Sequence, residues 1–175
     1  MSAMLVIHPV VGIFAILIGI AAFRVRKFSP SHTMLGELYH WFMLVTCISA
    51  LVISYQYGRA TVFTYLAPPS YAFALIGYLT AKFRPKNWLA WHISTQGGSF
   101  IALITATLFQ VVVREGFMQN KSMPLLGLPI VFWVTLLTPI LIGRIFIART
   151  RKKWAKVDVE KLAKIKANSE HMAKA

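Results

Sequence analysis

Six side chains capable of acid–base or ligand chemistry sit inside, or at the mouth of, long apolar runs: His8, His32, Glu37, His40, His92 and Arg144. An ionisable group in such a run costs about 2.5–3.5 kcal/mol to insert, so each is a functional candidate by default. Depth sorts them. His8 lies near the outer end of the first run and His32 opens the second, while Glu37, His40, His92 and Arg144 fall within the inner third of the membrane on three different helices.

Helical phase groups further polar residues with them. On the second run Gly36, His40, Cys47 and Ser54 share a stripe, and on the fourth His92, Thr95, Gln96, Ser99 and Gln110 share another. Ser94, Gly98, Ala102 and Thr105 form a small-residue stripe suited to close helix packing. Neutral imidazoles on two helices at matched depth are the usual axial ligands of haem b. His92 is therefore the expected centre of a cofactor site. Its partner is expected to be His40, ahead of His32 on depth, with Arg144 available for propionates. Glu37, Gln96, Ser99 and His8 are the other intramembrane polar candidates. The competing reading makes each histidine a structural hydrogen-bonding group and lets Arg144 snorkel to the interface. Two histidines alone fall short of a closed zinc site. Hydrolysis has little to work with, since Glu37 is the only carboxylate in a span.

The elements that must hold these residues follow from composition. Of 175 residues, 57% are hydrophobic and only 14% charged, well away from the balance of a soluble domain. Five segments are long enough to cross about 30 Å of hydrocarbon: 4–23, 34–56, 61–81, 88–113 and 124–148. The fold expected is an all-α, five-transmembrane-helix bundle over residues 1–148, followed by a basic tail over 149–175. The first span reads as an anchor, because Arg24, Arg26 and Lys27 follow it at once. Those three, then Lys82, Arg84 and Lys86, and then Arg149, Arg151, Lys152, Lys153 and Lys156 place the first loop, the third loop and the tail in the cytoplasm. Arg59 alone in the second loop, and Arg114 and Lys121 offset by Glu115 in the fourth, agree with an outside face. The N-terminus is then outside and the C-terminus inside.

Pro68 and Pro69 interrupt the third span and release the carbonyls of Thr64 and Tyr65. This fits either one kinked helix or a break lining a cavity. In the tail, Trp154, Val157, Leu162, Ile165 and Met172 fall on one broad face among lysines, with Glu160 four residues before Lys164. That is a basic amphipathic helix for anionic inner-leaflet lipid. The +14 net charge is therefore assigned to the membrane and not to nucleic acid. The single cysteine excludes an intrachain disulfide framework and a C-x-x-C-H haem attachment.

Two stretches, Ser31–Tyr39 (SHTMLGELY) and Trp91–Thr107 (WHISTQGGSFIALITAT), resemble an uncharacterised bacterial family of predicted membrane proteins, domain of unknown function 2306. His32, Gly36 and Tyr39 match its H-x3-G-x2-Y opening. His92, Gly98, Ser99, Phe100, Ile101, Ala102, Thr105 and Ala106 match its second motif, and His8-x3-Gly12 resembles its first-span pattern. The resemblance covers most of residues 5 to 113 and implies fold and a bacterial inner-membrane location, without an activity. Glu37 stands where a basic or neutral residue is more usual, and His40 lies outside the pattern.

The functional classes left open are a non-catalytic membrane subunit, a small redox protein handling b-haem or quinone, and a proton or small-solute transporter or channel element. The bilayer is the certain partner. Anionic lipid at the tail, a second copy of the chain or another membrane subunit are the partners expected besides it.

Overall fold

The computed structural model describes residues 3–58, 62–114, 124–125 and 128–172, with side chains over 3–58, 64–112 and 130–155. Arg59, Glu115 and Lys121 of the second and fourth loops lie outside the described residues. So do the tail side chains beyond 155, on which the amphipathic pattern rests.

The chain is an all-helical, five-helix protein: α1 (Met4–Arg24), α2 (Pro30–Gln56), α3 (Val62–Phe83), α4 (Trp88–Arg114) and α5 (Ile130–Met172). Four of them, α1, α2, α4 and α5 as far as Ala155, are long and apolar enough to cross a membrane. Their outward faces carry large apolar side chains such as Leu17, Ile48, Val111, Leu141 and Ile142, as lipid contact requires. Pro68, Pro69, Ser70 and three tyrosines, Tyr65, Tyr71 and Tyr78, interrupt the apolar sequence of α3. It is nonetheless one continuous helix, with both prolines on its exposed side and Ala67 turned inward.

α1 to α4 close a ring. α1 packs on α2, α2 on α3, α3 on α4, and α4 returns to α1, while α5 lies outside against α4. The ring encloses a narrow core of Ala15, Tyr39, Met43, Cys47, Ala67, Ala74 and Leu103. Small residues there let the helix backbones approach closely, which is how helices associate where lipid removes the hydrophobic drive.

Two boundaries differ from the sequence reading, both for local reasons. α2 starts at Pro30 and not at 34, because Ser29 caps it: its hydroxyl accepts the His32 amide at 3.2 Å, and Pro30 occupies the first helical position. α5 starts at Ile130 and not at 124. Pro124–Leu125 and Leu128–Pro129 pair instead as a two-residue antiparallel ladder, and the helix begins after the second proline. At its other end α5 runs without a break from the span through Ala148 to Met172.

The α4–α5 seam shows how residue size sets helix spacing. A Cβ on Gly143 would overlap the Ile101 side chain, and one on Gly97 would come within 2.7 Å of Ile147. Each helix thus offers a glycine four residues from an isoleucine, and the antiparallel partner reciprocates. Gly97 makes this approach, whereas Gly98 of the expected small-residue stripe only meets Phe73 at ordinary contact distance.

Candidate functional site

The C-terminal ends of α1 and α3 and the N-terminal ends of α2 and α4 converge on His32 and His92. Because α2 begins at Pro30, His32 sits in its first turn, level with His92 near the start of α4. The two rings, from diagonally placed helices, stand with centroids 6.3 Å apart and planes at 84°. Each is pinned at Nδ1. The His32 Nδ1–H donates to the Ala22 carbonyl of α1 at 3.1 Å, and the His92 Nδ1–H donates to the Gly77 carbonyl of α3 at 2.8 Å. A carbonyl only accepts, so each Nδ1 carries a proton and each Nε2, when the ring is neutral, presents its lone pair. Among the described residues neither Nε2 has a hydrogen-bond partner, and neither is among the fully buried unpartnered atoms.

Gly77 makes the second anchor reachable. A Cβ there would lie within 2.8 Å of both Gln96 and Thr95, so only glycine lets α4 come close enough for His92 to reach the carbonyl. Gln96 repeats the contact one turn deeper, donating to the Ala74 carbonyl at 3.3 Å and leaving its own Oε1 buried and unpartnered.

The Lys27 ammonium acts electrostatically on both rings. It caps α1 through the carbonyls of Ala22, at 2.7 Å, and Phe23, at 3.1 Å. Burial holds it below the usual lysine range. An aromatic corner closes the end of the bundle. Phe28, at φ 61°, sets its ring edge-on to Trp88 at 6.3 Å and to Trp154 at 5.4 Å; Trp88 flanks His92, and Arg84 lies over Trp88. A left-handed backbone is a strained state for a bulky residue, so the surrounding packing must hold it there. Beside this corner a cleft of about 560 Å³ opens between α4 and α5, with Arg151, Lys152, Asn87 and Trp154 on its walls.

The other candidates lie elsewhere. His40, expected to partner His92, is eight residues deeper than His32, about 12 Å along the helix. It points into the α2–α3 seam, stacked on Tyr78 at 4.6 Å and 12° and flanked by Tyr71 at 5.5 Å. It is 5% exposed; its Nε2 has a long 3.4 Å contact with the Tyr71 hydroxyl, and its Nδ1 has no partner. Ser99 is fully buried and hydrogen-bonds the Tyr39 hydroxyl at 2.7 Å, tying α4 to α2. His8 donates from Nδ1 to Ser49 at 2.8 Å while the Ser49 hydroxyl donates to the Thr46 carbonyl, a clasp between α1 and α2 near the outer end. Arg144 and Glu37 both face outward, and among the described residues neither makes an ion pair or hydrogen bond. Arg144 is thus not at the histidine pair; Lys27 holds the position the sequence reading gave it. Sequence reasoning did not single out Lys27 for the site, and its only signal was its place five residues before His32.

Among the described residues no three His, Cys, Asp or Glu side chains gather as a metal site. Two imidazoles bound in line to one metal at about 2.1 Å per bond would have centroids about 6.4 Å apart, close to the observed 6.3 Å. Metal-binding histidines almost always donate their other ring N–H to a carbonyl, carboxylate or water, the arrangement found at both rings. The chain is a multi-pass membrane protein. No family model, curated protein or solved structure matches it.

Proposed function

We propose that this is a small five-span protein of the bacterial inner membrane, N-terminus outside and C-terminus inside, that holds a redox centre of the b-haem type between His32 and His92 at the cytoplasmic end of its bundle. One observation carries the reading: two imidazoles from diagonal helices, each fixed at Nδ1 by a backbone carbonyl, with both Nε2 atoms unpartnered among the described residues and the ring centroids 6.3 Å apart. The iron would supply one-electron transfer. The chain's own residues orient the two imidazoles through Ala22 and Gly77, supply in the Lys27 ammonium a positive charge that acidic substituents could meet, and shield the site with Phe28, Trp88 and Trp154. The resemblance over Ser31–Tyr39 and Trp91–Thr107 supports the same pair, since these two histidines belong to its motifs and His40 does not. The basic loops and tail support the orientation, with the α4–α5 cleft and the lysine-rich tail meeting anionic lipid.

The test is the absorption spectrum and metal content of wild type, His92→Ala and His32→Ala, each expressed with haem supplied and purified in mild detergent. A Soret band in wild type, lost or shifted in both variants, is the expected result. A colourless, iron-free wild type removes the redox reading and leaves a non-catalytic membrane subunit whose histidines are structural.

A further inference from the structure

Of the ionisable residues within the apolar runs, Glu37 and Arg144 are the two charged ones outside the histidine pair, and both point out of the bundle. Their depths are close. His32 beside His92 sets α2 against α4, so Glu37, five residues on, lies level with Gly97. Gly97 faces Ile147, which brings Arg144 within three residues of that level, about 4.5 Å along the axis. Measured from Pro30, Glu37 then sits about 10 Å and Arg144 about 15 Å inside the cytoplasmic boundary. At those depths a lone carboxylate and a lone guanidinium are each expensive, and each is what the other requires.

They cannot meet within one copy, because the bundle stands between α2 and α5. They do flank the same side of it. Glu37 lies one step around α2 from His40, whose ring packs on α3. On α5, Phe146 turns toward Phe23 of α1, at 6.0 Å, and Arg144 lies on the opposite flank of the α4 contact, toward α3. Between the two charges runs α3, whose sequence carries Pro68, Pro69, Ser70 and three tyrosines among its apolar residues. Two copies facing through α3 about a two-fold axis along the membrane normal bring α2 of each opposite α5 of the other.

We propose that the protein is a two-fold dimer whose interface is the α3 face, closed by two reciprocal Glu37–Arg144 ion pairs between copies. The proposal is independent of the cofactor reading, since neither residue touches His32 or His92, and the spectrum of the purified protein reports the one while cross-linking reports the other.

The experiment uses the full chain with Cys47→Ser as background. Glu37→Cys is placed in a copy with one tag and Arg144→Cys in a copy with another; the two are co-expressed in native membranes and treated with a short bifunctional maleimide. The expected result is a cross-linked dimer carrying both tags, absent when either cysteine copy is expressed alone. A second measurement follows the oligomeric state of the otherwise wild-type protein in mild detergent. Glu37→Gln and Arg144→Gln should each shift the protein to monomer at matched concentration, and the exchange variant Glu37→Arg/Arg144→Glu should restore the dimer. Absence of the mixed cross-link together with a monomeric wild type overturns the proposal. So does a dimer indifferent to all three substitutions. Single variants that weaken it without rescue by the exchange would point instead to a different membrane partner, which also overturns it.

Discussion

A histidine in hydrocarbon has two nitrogens to satisfy, and the four in the bundle do so differently. His8 spends its Nδ1 on Ser49, and His32 and His92 spend theirs on backbone carbonyls, which leaves a defined Nε2 available. His40 has a stacked ring, one long contact and an unpartnered Nδ1. An unsatisfied buried polar atom costs about 1–3 kcal/mol, so His40→Phe, which keeps the stack on Tyr78, should leave stability unchanged or raise it by up to about 2 kcal/mol. Thermal unfolding in mild detergent checks this; a large loss would mean that His40 holds a ligand or water essential to the bundle. His92→Ala should cost about 0.6–2 kcal/mol through the lost bond to Gly77, measured in the same assay. That modest cost allows the variant to insert and be assayed for bound chromophore.

At the level of helices, spacing is set where glycine meets a larger side chain. Gly143→Leu puts a branched side chain where even a Cβ would overlap Ile101, and overpacking of this kind costs about 1–3 kcal/mol or more. Partial rescue by Ile101→Ala in the double variant would place the strain in that seam. Gly36→Ala is the matching control. Nothing lies within 4 Å of its added methyl, and stability should hold or rise slightly. The Tyr39–Ser99 hydrogen bond is the polar counterpart of these contacts. A double-mutant cycle with Tyr39→Phe and Ser99→Ala should give a coupling of about 0.6 kcal/mol, up to about 1.7; none at all would mean that α2 and α4 are held by packing alone.

For the whole molecule the open count is whether α3 spans. The proposed orientation, with basic loops on alternate sides, requires an odd number of crossings, which α3 would complete beside the four helices long and apolar enough to span. Reporter fusions at Gly58 and Ala175 should be active on opposite sides, outside and inside respectively, and a C-terminal reporter active only outside would remove the orientation. The sequence determined by itself that the chain lives in a membrane, roughly where its helices run and which loops are basic, because hydropathy and loop charge are properties of the chain read in order. It also determined which ionisable residues are anomalous. Which of these meet was decided only by tertiary structure. A serine cap moved the start of α2 back to Pro30 and thereby brought His32, not His40, level with His92. Gly77 then let α3 approach closely enough to anchor His92. The outward turn of Glu37 and Arg144 followed from which face of α2 and of α5 found small partners to pack on. Depth along a helix is additive and can be counted from sequence, whereas facing depends on how two surfaces fit, and that fit exists only once both helices are packed.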